Sequence, residues 1–234
     1  MSIARRITAV IALVVFAHLI LRAVFPAPPL GMGRFETAML ALLVPLTGAA
    51  IGVWAIRPWG RWLALGGALA VLPWATALAA TPFMDRGAPL AALVASVALL
   101  LSLGDRGTAR RYEGCGRIPL VSWTIVTNIA SILVLYLFAS AYDYTIGWHF
   151  AATVALLAGL LIGVSRLAAG KTVGIIAVAA CALLLIPAIG LFVAREATHP
   201  GEVFLLAAVF MPGIVTAGGC VAVFGGPMLR FMRD

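Results

Sequence analysis

The residues that could do chemistry within the long apolar blocks of this chain are few. His18 stands inside the first block, and Arg22 follows one helical turn later, close enough to the end to snorkel towards water. Asn128 stands inside another block and shares a helix face with Thr124 and Ser131. An ionisable or amide side chain is costly in an apolar medium, so each is a candidate functional residue.

His18 and Asn128 allow two interpretations. In the first, their blocks pack together and the polar side chains line a small cavity that forms a substrate path. In the second, the two side chains hydrogen-bond across a helix interface and only hold the helices together. The sequence leaves both interpretations open.

A second polar group lies where one apolar block ends and the next begins. Asp143 and His149 stand there among Tyr142, Tyr144 and Trp148. Aromatic residues at such a junction are typical of a membrane interface. An acid and an imidazole at the same place would also suit the mouth of a binding path, so Asp143 and His149 are included as substrate-path candidates.

Motifs for catalysis and metal binding are missing from the sequence. Cys115, Cys181 and Cys220 form no C-x-x-C pair, and neither H-E-x-x-H nor G-x-S-x-G occurs. No carboxylate lies in the middle of a block, which disfavours a proton-coupled carrier. We therefore predict no catalytic and no metal-ligating residue, and the sequence leaves any cofactor unspecified.

The elements that must position these residues are predicted to be membrane-spanning helices. Hydrophobic residues make up 64% of the chain and charged residues 10%, against about 45–50% and about 25% in soluble domains. The apolar residues form blocks of about 20, the length of a transmembrane helix. The predicted blocks are 7–26, 36–56, 61–80, 87–104, 119–140, 147–167, 172–194 and 202–225.

Basic residues predict the orientation of these eight spans. The net charge is +8, and of the 16 lysines and arginines only Arg22, Arg34, Arg86 and Arg195 fall on one side. Because basic residues favour the cytoplasmic side, both termini are predicted to be cytoplasmic. The basic residues are 15 arginines and one lysine, and with the abundant alanine and glycine this indicates a bacterial protein, so the membrane is predicted to be a bacterial inner membrane. Seven spans, with the end of the chain outside, is the rival topology. The charge is explained by topology, so no nucleic-acid partner is expected.

A glycine pattern occurs twice. Gly48 and Gly52 in the second block recur as Gly159 and Gly163 in the sixth, 111 positions later, with the same Ile-Gly-Val context. A further shift of three residues aligns prolines in the third and seventh blocks. Small residues four apart allow close helix packing, so we expect these blocks to form the tightest central contact.

The repeat predicts an all-α membrane protein built of two four-helix halves. The halves would be 1–105 and 119–234, joined by a basic cytoplasmic loop at 106–118. Since each half has an even number of spans, both would have the same orientation.

Three functions remain open from the sequence. The first is a transporter, channel or permease-type subunit with a polar midplane site. The second is a non-catalytic anchor, assembly or signalling subunit, with a protein partner at the loop Asp105 to Arg117 and the option of forming oligomers. The third is a membrane enzyme that acts on a lipid-linked substrate, which the shortage of catalytic groups disfavours. The lipid bilayer is a partner in every case.

Overall fold

The computed structural model describes residues 2–25, 33–80, 86–114, 119–141, 148–171, 173–184 and 219. The regular structure within these residues is helical throughout. The helices are α1 (Ile3–Val24), α2 (Arg34–Ala41), α3 (Leu43–Trp54), α4 (Pro58–Ala80), α5 (Gly87–Leu103), α6 (Arg106–Glu113), α7 (Pro119–Ala141), α8 (Trp148–Ala168) and α9 (Val173–Leu184).

The prediction of an all-α fold is confirmed for the described part of the chain. Each of the first seven predicted blocks contains a helix. The eighth block, 202–225, lies outside the described residues apart from Gly219. The loop predicted at 106–118 contains the short helix α6.

Some of these helices are long and apolar enough to cross a membrane. Among the described residues, Ile3–Val24 and the combined segment Glu36–Trp54 meet both conditions. A third span results if α5 and α6, which meet at a bend of 71°, are counted as one. These apolar helices indicate association with a membrane.

The boundary between α2 and α3 has a covalent cause. Pro45 has no N–H to donate to the carbonyl of Ala41, so the regular hydrogen bonding is interrupted. The Leu42 N–H bonds instead to the Met39 carbonyl at 3.1 Å, and the Leu46 N–H resumes the helical ladder to Leu42 at 3.1 Å. The two helices therefore continue as one segment, Glu36–Trp54, across the break.

Helix α4 is the centre of the described bundle. It packs against α3, α5 and α7, while α1 packs on α5 and α3, and α8 packs on α7. Small residues on α4 make this possible, since a methyl group built on Gly66 would lie 2.5 Å from Ile129 Cγ2 of α7. The predicted central contact between the second and sixth blocks is wrong, because α3 and α8 each pack mainly on other helices.

The glycines of the second block pack against the next helix in the chain. Gly52 of α3 meets Gly60 of α4 so closely that a methyl group on Gly52 would lie 2.6 Å from Gly60 Cα. A methyl group on Gly48 would lie 3.7 Å from the ring of Trp59. The glycine pair therefore allows α3 and α4 to form a tight antiparallel hairpin.

The glycines of the sixth block, in α8, also pack against the next helix in the chain, which is α9. A methyl group on Gly159 of α8 would lie 2.5 Å from Cys181 Sγ, and one on Gly163 would lie 2.7 Å from Val178 Cγ2. Both contacts are with α9. Each glycine pair thus packs against the next helix in the chain, and in the described helices the two pairs do not contact each other.

The turns that close these two hairpins have the same backbone geometry. Ile56 and Gly170, 114 positions apart, both have positive φ, at 55° and 74°. The next residues, Arg57 and Lys171, each donate an N–H to the carbonyl five residues back, at 2.8 and 2.9 Å. This is the hydrogen bond expected where a left-handed residue ends a helix.

Candidate functional site at the basic end of the bundle

A buried arginine is the centre of a polar network at one end of the bundle. Arg61, in the first turn of α4, is 1% exposed. Its Nε donates to the Leu103 carbonyl at the end of α5, at 2.9 Å. Its Nη1 donates to Ser122 Oγ in α7 at 2.9 Å and to the Glu113 carboxylate at the end of α6. Arg61 therefore joins four helices.

The Glu113 carboxylate is the counter-ion of this network. Besides Arg61, Oε1 of Glu113 accepts hydrogen bonds from Trp62 Nε1 at 2.8 Å and from the Ser122 hydroxyl at 2.6 Å. The Glu113 side chain is 5% exposed. A buried charge needs both a partner and hydrogen bonds, and this pair has both. The network holds α6 against the ends of α4 and α7.

The other end of α6 is held by Asp105, its N-cap residue. Asp105 accepts from the Thr108 backbone N–H at 3.2 Å and from the Thr108 hydroxyl at 2.5 Å, a capping arrangement. Arg5 of α1 forms an ion pair with the same carboxylate at 2.9 Å. The Thr108 hydroxyl, more than Arg5, holds the pKa of Asp105 below its ordinary value.

We call this part of the bundle the basic end. It consists of the start of α1, α4 and α7, the end of α3 and α5, and all of α6. Two aromatic contacts hold it together further. The buried Tyr112 hydroxyl donates to the Val53 carbonyl near the end of α3 at 2.8 Å. Burial raises the pKa of Tyr112, so the hydroxyl keeps its proton. Arg6 lies over the Trp54 ring, 5.5 Å from its centre. These contacts tie α6 and α1 to α3.

The polar stripe predicted on the fifth block is buried in helix packing. Thr124, Asn128 and Ser131 of α7 are at most 3% exposed. Asn128 Nδ2 donates to the Thr124 carbonyl at 2.7 Å, and the Ser131 hydroxyl donates to the Thr127 carbonyl at 3.1 Å. These side chains therefore satisfy part of their hydrogen bonding within their own helix.

His18 and Asn128 are not brought together, and the predicted cavity between the first and fifth blocks is wrong for the described helices. His18 and Arg22 lie on the exposed face of α1, which packs through its opposite face on α5 and α3. That packed face is apolar and includes Leu13 and Phe16. Burial of the apolar face turns His18 outwards.

The remaining candidates lie outside the described residues in whole or in part. Asp143 falls in the gap at 142–147, and only the backbone of His149 is described, as part of α8. Nothing in the structure tests their role. In the described part of the chain, histidine, cysteine, aspartate and glutamate form no group of three or more that could hold a metal ion.

The Arg61–Glu113 pair was missed by sequence reasoning. Arg61 was counted among the basic residues that set the orientation of the spans, and Glu113 was assigned no partner. A usable signal was present, because Arg61 and Trp62 lie at the start of the third predicted block and Glu113 lies in the loop predicted on the same side. Opposite charges at neighbouring helix ends can pair.

No protein-family model, curated protein or solved structure matches this chain. Its function therefore has to be inferred from the geometry.

Proposed function

We propose that this chain is a polytopic membrane protein with eight spans and both termini in the cytoplasm of a bacterial cell. Helices α4, α7 and α8 have 23, 23 and 21 residues. At about 1.5 Å per residue each reaches across about 30 Å of hydrocarbon. The basic end, with Arg5, Arg6 and the arginines of α6, would face the cytoplasm.

The matched hairpins support two same-orientation halves. Besides the equivalent turns, Gly60 and Gly174 are also 114 positions apart, and each lies against the backbone of the helix before it. Their N–H groups donate to Arg57 and Lys171 at 3.1 and 3.0 Å. Shared turn geometry, hydrogen bonding and glycine contacts favour duplication of one helical unit.

The function we propose is that of a non-catalytic, self-associating assembly subunit of the membrane. One observation carries it: the outward face of α1 forms a seam, defined as Ile7, Ile11, Val14, His18 and Leu21. Its four apolar members are 37–60% exposed. The spacing alternates between four and three residues, the repeat with which helices pack as coiled coils.

The depth and polarity of His18 indicate what kind of surface packs against the seam. His18 lies six residues before the end of α1, about 9 Å along the axis. In the proposed topology, in which α1 crosses the membrane, this depth is within hydrocarbon. A polar side chain facing lipid at that depth is unfavourable, whereas one facing another helix can form a hydrogen bond. A single polar residue within such a seam is also known to set the register of helix pairing.

The partner that fits the seam best is a second copy of the chain. Two copies in one membrane have the same orientation, so their α1 helices would pair in parallel. Each seam residue would then meet its own counterpart. A neutral imidazole has one donor and one acceptor nitrogen, so His18 of one copy can bond to His18 of the other.

Cysteine cross-linking in native membranes tests this proposal. With Cys115, Cys181 and Cys220 replaced by alanine, Val14→Cys is expected to form a disulfide-linked dimer under mild oxidation. Leu101→Cys, at a position of α5 that is 73% exposed against 60% for Val14, is the control and should stay monomeric. Replacing His18 with leucine should lower the dimer yield about threefold to tenfold.

The pattern of cross-links decides the outcome. Disulfide-linked dimers of Ile11→Cys and Val14→Cys, but not of Leu101→Cys, would support pairing of two chains through the seam. Monomers at every position, or equal dimer yields at seam and control positions, would contradict it.

A permease-type subunit is the second candidate, and the matched hairpins favour it. Halves related by an axis along the membrane normal are typical of one class of transporters, with substrate bound near the midplane. The polar stripe of α7 would form part of the path for a neutral or lipid-like substrate. The burial of that stripe is the reason for placing this function second.

A further inference from the structure

We propose that the exposed face of α6 binds the phosphate groups of anionic phospholipids. The first support is the position of this helix. It begins three residues after α5 ends and is bent by 71° from it. If α5 crosses the bilayer, α6 lies along the membrane surface, where headgroups are the nearest ligands.

Charge is the second support. Arg106, Arg110 and Arg111 are all exposed on α6. The two carboxylates that flank them are already paired, Asp105 with Arg5 at the surface and Glu113 with Arg61 inside the bundle. The outward face of α6 is therefore strongly positive and complementary to a phosphodiester. A guanidinium group can also hold two phosphate oxygens with parallel N–H bonds from its planar fork, a geometry that lysine lacks.

The third support is that the opposite face of α6 is fixed. Thr108 and Tyr112 are buried, and Tyr112 and Glu113 bond to the ends of α3, α4 and α7. The arginines are thus presented by a helix whose ends and inner face are already ordered. A lipid that binds this face stabilises the folded state, because an unfolded α6 offers no such surface.

The test measures thermal unfolding in nanodiscs that contain either phosphatidylcholine alone or phosphatidylcholine mixed with phosphatidylglycerol. For the unmodified chain, phosphatidylglycerol should raise the Tm by about 2–4 °C. R110Q/R111Q should lose most of this shift. R166Q/K171Q removes the same number of exposed charges at the α8–α9 turn and should retain the shift.

Two further measurements distinguish binding of lipid phosphate from binding of free phosphate, and test whether the lipid effect is electrostatic. Inorganic phosphate added to phosphatidylcholine discs should leave the Tm unchanged. High salt should reduce the lipid effect, because exposed charges are screened.

Three outcomes would overturn the proposal: an equal shift for the unmodified chain and R110Q/R111Q, an equal loss in R166Q/K171Q, or full stabilisation by inorganic phosphate. The test does not depend on self-association, since the α1 seam is unchanged in every variant.

Discussion

Arg61 and Glu113 form a buried ion pair at the junction of four helices, and its hydrogen bonds extend to a serine, an indole and a backbone carbonyl. Such a pair adds little stability compared with apolar residues of equal size, but loss of one partner leaves the other charge buried alone. The pair therefore fixes the position of α6 relative to α4. The bundle is complete only when Glu113 lies beneath Arg61.

Glu113→Gln should destabilise the protein by about 3–5 kcal/mol, because the Arg61 charge loses its counter-ion. Arg61→Met combined with Glu113→Gln should recover part of that loss, since no buried charge remains. Unfolding by denaturant in a mild detergent measures both changes. Arg57→Met, at an exposed arginine just before α4, is the control and should change stability by less than about 0.5 kcal/mol. Equal effects of Glu113→Gln and Arg57→Met would contradict the buried-pair interpretation.

At the scale of the elements, the α3–α4 hairpin depends on backbone contact between two glycines. Gly52 and Gly60 meet with no room for a side chain on either. Without a hydrophobic effect between helices in lipid, such close packing is a main source of attraction. This hairpin carries Arg61 on one helix and the Val53 carbonyl on the other, so its geometry also positions the basic end.

Gly60→Ala should cost about 1–3 kcal/mol, because the new methyl group would overlap the Gly52 backbone and force the helices apart. Gly67→Ala, seven residues later in the same helix, is the matched control. A methyl group there meets no atom within 4 Å, so the change should be neutral or stabilise by about 0.5–1 kcal/mol through a better helix propensity. Thermal unfolding of the two variants checks the difference. If Gly60→Ala were as stable as Gly67→Ala, the close contact would be wrong.

At the scale of the whole molecule, the assembly and permease proposals differ in which residues are accessible to water. The assembly proposal requires a dry interior and a seam on the outside. The permease proposal requires a path that reaches the polar stripe of α7. Asn128 lies at the centre of that stripe, and in the described helices it is fully buried.

Asn128→Cys, in a background without other cysteines, should resist a water-soluble maleimide in intact membranes. The expected reason is burial of position 128 between packed helices. Lys171→Cys, at the exposed α8–α9 turn, serves as the reactive control and should be labelled fully. Rapid labelling at position 128 would instead favour the permease function.

Within the described residues, each of the first seven blocks predicted from the sequence contains a helix, because long apolar runs favour a backbone that satisfies its own hydrogen bonds. The eighth block lies outside those residues apart from Gly219. The sequence also identified the four glycines as packing residues. It did not identify their partners, since GxxxG spacing specifies a close contact but not which neighbouring helix makes it. The break in the second block has a covalent reason in Pro45, which has no N–H to donate, although the predicted block 36–56 was continuous.

What the sequence determined by itself was that this protein associates with a membrane, because its apolar content and the length of its apolar blocks suit lipid. Only the tertiary structure decided which face of each helix is covered. The packing of the helices leaves His18 on the outside, buries Asn128 and places Glu113 beside Arg61. The physical reason is that helix packing in an apolar medium depends on side-chain shape and hydrogen-bond partners, which come from helices distant in sequence.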